Sequence, residues 1–297
     1  MRRLPELTLL LLALIWGGTF LATRTILREV GPFTLLTLRF ALGAGTLGLI
    51  ARRLPTREEA RVGIGIGLVV FGCYAGQTVA LGHIDSSLSA FLTAAGVPVV
   101  AILQATLLRR VPAGRVWVAA VVAAVGVALL GLREGGVARF GPYELLTLAS
   151  AGLGALQVVL IGRWAERFDP VRFTGVQLAT VAALALPWGA IEPHPLPGLG
   201  TAGLIVLMGV VATGLVLALM TWAQRTVEPA RAVLIYALEP VFAGALGLAV
   251  GERIGPYAGL GAALVVGAAI VGDWPVRARS GRTSVKMSSA PVQNLER

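Results

Sequence analysis

Ten apolar stretches, each about long enough to cross a bilayer, follow one another along this chain with only short connections between them. They fall at 7–27, 32–51, 62–82, 86–108, 114–132, 142–163, 171–191, 200–222, 229–251 and 255–273. A helix needs roughly 20 mostly apolar residues to span the hydrocarbon core. The expected fold class is therefore an all-α polytopic membrane protein with ten transmembrane helices. Composition agrees, since 56% of the residues are hydrophobic and 13% charged, where a soluble domain carries about a quarter charged. Gly31-Pro32, Gly141-Pro142, Asp169-Pro170 and Gly255-Pro256 punctuate the connections where helices restart. Cys73 is the one cysteine, so no disulfide framework forms within the chain.

Basic residues set the expected orientation. The first apolar run follows Arg2 and Arg3, lacks a small-residue cleavage site and reads as a retained span. With the N-terminus inside, 19 Lys and Arg residues lie on inner segments and five on outer ones, with Arg39 inside a span. That bias places both termini in the cytoplasm. It also assigns the net charge of +10 to a membrane surface facing anionic lipid, not to nucleic acid. The segment from Pro275 onward is polar and basic, with no apolar periodicity, and reads as a disordered cytoplasmic tail.

The chain also carries a weak internal register. A shift of 142 positions lays Pro98 on Pro240, Ala90 on Ala232 and Val99 on Val241, and a shift of 138 lays Pro32 on Pro170. The expected organisation is a first five-helix repeat over 1–137, a second over 138–274 and the tail over 275–297. Five spans is an odd number, so the second copy enters the membrane from the opposite side. Inverted repeats of this kind place a binding site near the midplane between the halves.

Chemistry-bearing groups at depth are few. Ala232–Glu252 is a spanning run with Glu239 and Pro240 side by side at its centre. A carboxylate there costs about 2.5–3.5 kcal/mol to insert and marks a functional position by default. Glu239 fits a proton-binding or amine-binding group, and equally a carboxyl that caps carbonyls freed by Pro240. Arg39 lies near the outer end of its span, where it can bind a substrate carboxylate, pair with Glu239 or snorkel to the interface. Most Trp and Tyr residues fall at span ends as an interfacial belt, but Trp16, Tyr74 and Tyr236 are deep and need partners. Helical spacing puts Trp16, Thr19, Phe20 and Thr23 on one face, Tyr74, Gln77 and Thr78 on another, and Ala232, Tyr236, Glu239, Ala243 and Gly247 on a third. Leu234, Leu238, Val241 and Leu248 form the opposite, greasy side of the ninth span. Together with Gln157, the polar faces suit a cavity for a small zwitterion with an apolar or aromatic side chain, although each residue alone also fits helix–helix packing. Pro98 and Pro240 each leave a carbonyl four residues back unpaired, Ala94 and Tyr236, and read as hinges. No metal cluster or cofactor motif is legible, and His83 and His194 read as loop residues.

Ile15-Trp16-Gly17, Leu38-Arg39-Phe40 and Leu238-Glu239-Pro240-Val241 followed by Gly251-Glu252 resemble the signatures of the EamA-type drug/metabolite transporter superfamily. Over residues 5–273 the closest similarity is to its YddG-like branch of aromatic and neutral amino-acid exporters. The resemblance implies a bacterial inner-membrane carrier that exports amino acids or other small metabolites, with no cofactor and protons as a further partner. A polytopic membrane enzyme and a channel are the competing classes. Neither has the deep catalytic groups or the filter-like repeat that it requires.

Overall fold

In the computed structural model, residues 4–130, 140–193, 196–252 and 255–273 are described. The expected boundary between the halves at 137/138, His194 and the tail 275–297 lie outside them, as do Arg133, Arg139 and Arg253 of the outer charge count. Every regular element among the described residues is helical. The first half holds α1 (Leu4–Ile26), α2 (Pro32–Ile50), α3 (Arg57–Leu81), α4 (Ser86–Thr93), α5 (Gly96–Leu107) and α6 (Gly114–Leu130). The second holds α7 (Pro142–Trp164), α8 (Pro170–Ile191), α9 (Leu199–Leu207), a π-helical segment (Met208–Leu215), α10 (Val216–Ala223), α11 (Pro229–Tyr236), α12 (Glu239–Ala249) and α13 (Pro256–Asp273). Eight helical runs among the described residues are long and apolar enough to cross a membrane, and α6 and α13 contain shorter apolar stretches. The protein is an all-α polytopic membrane fold.

Two spans are broken at matching places. α4 gives way to α5 at Ala94–Ala95, and α11 to α12 at Ala237–Leu238. Pro98 and Pro240 sit at the third and second residues of the second segment in each case, the first-turn positions where a missing N–H costs least. The freed carbonyl of Ala94 is not left unpaired, contrary to expectation: Val97 N–H donates to it at 3.0 Å in a tightened turn. α11 is buried on nearly every side, with Arg231 its one exposed residue. Leu234, expected on the greasy side, is 2% exposed, while Val241 and Leu248 do face outward.

The packing repeats when the halves are exchanged. α2 lies against α8 and α6 against α13. The pair α3·α7 has its counterpart in α10·α1, α3·α8 in the π segment with α2, α5·α7 in α12·α1, and α4·α12 in α11·α5. Lipid supplies little hydrophobic drive between helices, so close approach rests on small residues. A Cβ on Gly17 would stand 2.6 Å from the Cβ of Phe242 and 3.0 Å from the Glu239 carbonyl oxygen, so α1 can approach α12 only through glycine there. Gly43 of α2 meets Gly209 and Gly214 of the π segment in the same way, at 3.1 and 3.2 Å.

Carboxylates from distant connections cap helix N-termini, where free N–H groups and the helix dipole favour negative charge. At the end of the bundle where α1 begins, the N-terminal end, Glu59 accepts from Asp169 N–H (3.1 Å) and from Arg172 Nη2 (2.9 Å) at the start of α8. At the opposite end, Glu192 accepts from the N–H groups of Phe33 (3.1 Å) and Thr34 (2.8 Å), which begin α2. Glu252 there accepts from Ser86 and Ser87 N–H, both at 3.0 Å, and pairs with Arg24 at 2.7 Å. Burial opposes the charge of Glu252, but the hydrogen bonds from Ser86 and Ser87 outweigh it and hold the carboxyl at about 2. At the N-terminal end the matching cap on α11 is neutral: Gln104 Oε1 accepts from Ala230 N–H at 2.7 Å.

Candidate functional site

Between the halves lies a cavity of about 140 Å³, bordered by α1, α3, α7, α10 and the two broken spans, with Arg39 reaching in from α2. That space holds on the order of ten waters, the scale of a small solute. Trp16, Thr19, Arg39, Tyr74, Gln77, Thr78, Gln157, Tyr236 and Glu239 all line it. Of the two expected hinges, Pro240 lines the wall and Pro98 does not, although its neighbour Val97 does.

Arg39 is 4% exposed, so its guanidinium does not snorkel to the interface. Its Nε donates to Thr213 Oγ1 at 2.5 Å, and its charge lies over the rings of Tyr74 (5.4 Å) and Phe40 (5.8 Å). The π segment supplies the acceptor, and π-bulges in helices concentrate at functional positions. No carboxylate pairs with Arg39 among the described residues, and none of the ion pairs there includes Glu239. The expected alternative of an Arg39–Glu239 pair is thus not what the structure holds.

Glu239 begins α12 directly after the break, with its side chain on the same cavity. Beside it the Trp16 and Tyr236 rings meet edge to face, with centroids 5.3 Å apart. The indole Nε1 of Trp16 and the hydroxyl of Tyr236 are both buried and make no hydrogen bond. A buried donor without a partner costs about 1–3 kcal/mol, which points to a ligand or water meeting it at work. Gln77 and Gln157 also bring side-chain amides to the cavity wall. Across from them, Phe40 packs edge-on against Tyr74 at 5.0 Å.

The site therefore presents one cation and one carboxyl, two unsatisfied polar groups and a set of aromatic rings. It has no nucleophile–base pair in contact. Among the described residues no group of three or more His, Cys, Asp or Glu comes together to hold a metal. Sequence reasoning did not place Cys73, Ser150 or Met220 on the cavity, nor Thr213 as the partner of Arg39. Ser150 and Cys73 lie on the helical faces already singled out and could have been found by spacing. Thr213 could not, because nothing in Met208–Leu215 announces a π segment.

Polar links hold the end of α10 to α7. Gln224 Nε2 donates to Val158 O at 3.1 Å, and Arg225 donates to Ala165 O (3.1 Å) and Phe168 O (2.9 Å), joining α10 to α7 at the N-terminal end.

Known proteins supply the frame for this geometry. An uncharacterized transporter of Archaeoglobus fulgidus is 26% identical over 272 residues, covering 91% of this chain and 86% of that protein. A solved crystal structure superposes with a TM-score of 0.68 at 26% identity, over 90% of this chain and 94% of that one. The description of the EamA-like transporter family matches twice, over residues 3–132 and again over 141–271, once in each half. The chain is a member of the EamA-like transporter family.

Proposed function

We propose that the protein is a secondary carrier that exports small neutral amino acids, aromatic ones foremost, across the bacterial inner membrane by alternating access. The observation that carries the substrate reading is the pair Arg39 and Glu239. Each lines the cavity, neither has an ionic partner among the described residues, and they do not pair with one another. A zwitterion supplies both missing partners at once, its carboxylate to Arg39 and its ammonium to Glu239. Arg is suited to the first role because its planar fork matches a carboxylate. The rings of Trp16, Tyr74 and Tyr236 then accommodate an apolar or aromatic side chain, and the unpaired Trp16 Nε1 and Tyr236 hydroxyl gain partners. Glu239 also offers a place for a coupling proton.

The same proposal sets the two five-helix halves in opposite senses, with both termini in the cytoplasm. Its support is the odd span count, the exchange symmetry of the packing and the bias of basic residues. The breaks before Pro98 and Pro240 are the hinges about which the halves rock. Export, as opposed to uptake, rests on the resemblance to the exporter branch.

A thermal-shift panel on the detergent-solubilised protein tests the reading, because a ligand that binds the folded state raises its melting temperature. Phenylalanine, tryptophan and leucine are expected to stabilise the protein, and their decarboxylated amines and deaminated acids to do so much less. Stabilisation by purines or sugars with none by amino acids would transfer the cavity to another solute class. Consumption of a lipid-linked substrate without solute movement in liposomes would make the protein a membrane enzyme.

A further inference from the structure

A second cleft lies away from the cavity, at the N-terminal end of the bundle, in the crease between α2 and α8. It measures about 410 Å³. Its walls are Ala44, Leu47 and Gly48 of α2 and Gly175, Val176 and Ala179 of α8, with Arg52, Arg53 and Arg172 at its mouth. Gly48 and Ala179 are exposed on the outside of the bundle, the side that faces the bilayer.

The charges at the mouth are unbalanced. Arg172 pairs with Glu59, whose oxygens also accept from Thr56 and Asp169 N–H. The Nε of Arg172 is nevertheless buried without a partner. Arg52 and Arg53 are exposed and make no ion pair or hydrogen bond among the described residues. Three arginines thus line the cleft with no carboxylate among its lining residues, and the nearby Glu59 and Asp169 are already engaged with backbone N–H groups. Leu54, 88% exposed, and Leu49, 91% exposed, lie beside these arginines in the chain, so the segment offers apolar as well as cationic surface.

The fold supplies its own comparison. Exchange of the halves maps this crease onto the one at the opposite end, where α8 finishes and α2 begins. There the connection carries Glu192, spent on the N-terminus of α2, and no arginine. Packing of α2 on α8 therefore requires no cationic mouth; the general bias of basic residues toward this end accounts for arginines here, and their place at the mouth of an apolar slot is the feature particular to this crease.

We infer that this crease is a binding site for an anionic phospholipid. One acyl chain lies in the slot opened by Ala44, Gly48, Gly175 and Ala179, and the phosphate is met by Arg52, Arg53 and the free edge of Arg172. Basic pockets between transmembrane helices are suited to such head groups. The inference is independent of which solute the central cavity carries.

Native mass spectrometry of the full-length protein in detergent, titrated with phosphatidylglycerol or phosphatidylcholine, tests it. Phosphatidylglycerol is expected to be retained preferentially. Each surface arginine contributes on the order of fivefold to anionic-lipid affinity, so Arg52→Gln with Arg53→Gln lowers retention about 25-fold. A charge-matched Arg109→Gln, Arg110→Gln control at the same end leaves it unchanged. Gly48→Leu fills the slot where a Cβ meets nothing within 4 Å, so the fold survives and lipid retention falls with all arginines present. Equal retention of phosphatidylcholine, or undiminished retention in the double arginine variant, overturns the site. Equal binding of glycerol phosphate without acyl chains, or full retention in Gly48→Leu, overturns the acyl slot and with it the lipid assignment.

Discussion

Replacing Arg39 by Met separates a binding role from a structural one, because the two roles predict opposite results. Arg39 is 4% exposed and has one hydrogen bond, to Thr213, with two rings beneath its charge. Losing a hydrogen bond from a charged group costs about 1.5–3 kcal/mol, and losing the ring contacts about 1–2 kcal/mol. Against this, removal of a buried charge with no counter-ion relieves a desolvation penalty of several kcal/mol, and apolar replacements of buried ionic groups are often neutral or stabilising. The two sides nearly cancel, and Met fills a similar volume. Arg39→Met is therefore expected to leave the melting temperature within about 5 °C of the parent. Substrate affinity behaves differently, since truncating one side of a buried charge pair costs about 2–5 kcal/mol, a loss of roughly 30-fold or more. The assay is paired: melting of the purified protein, and amino-acid binding by scintillation proximity on the same preparation. Thr213→Val is the companion, keeping the charge but freeing it, with an intermediate loss of affinity. A fall of more than about 10 °C with affinity intact would refute the reasoning. It would make Arg39 a structural tie between α2 and the π segment.

Three further outcomes follow from particular contacts. Glu252 is held at about 2 against an ordinary 4.5, so its charged form stabilises the fold. That stability is fully present above about 4.5 and is lost as pH falls toward 2. Glu252→Gln should melt lower at neutral pH and lack this part of the acid slope, and parallel melting-versus-pH profiles would contradict it. Gly17→Ala should destabilise by about 1–3 kcal/mol, because its Cβ collides with Phe242, whereas Gly48→Ala, in open space, should not change the melting temperature. Tyr236→Phe removes a hydroxyl that has no partner in the empty protein, so folding should be unaffected while solute affinity falls about tenfold. Equal affinity of Tyr236→Phe and the parent would take that hydroxyl out of the binding site.

The apolar runs could be read from the sequence because a span is a local property, set by some twenty neighbouring residues. The breaks at Ala94–Ala95 and Ala237–Leu238 were equally legible through Pro98 and Pro240, since proline acts on its own backbone. Contacts between distant residues were not. Glu192 caps a helix 159 residues earlier in the chain, and neither its own neighbours nor those of Phe33 hint at it. Leu234 was misplaced because periodicity assigns every span one lipid-facing side, whereas α11 is packed against α1, α5, α7 and α13 and only Arg231 is exposed. Arg39 was left between three roles by the sequence. Its partner Thr213 sits on the π segment of the second half, which packs against α2 through Gly43, Gly209 and Gly214, a contact between distant residues.

The most direct test of the carrier reading is counterflow in proteoliposomes preloaded with unlabelled phenylalanine. External labelled phenylalanine should enter and overshoot, while vesicles without protein and vesicles holding folded Arg39→Met should not accumulate it. No overshoot with any amino acid, or an equal overshoot with Arg39→Met, would contradict a zwitterion site built on Arg39 and Glu239.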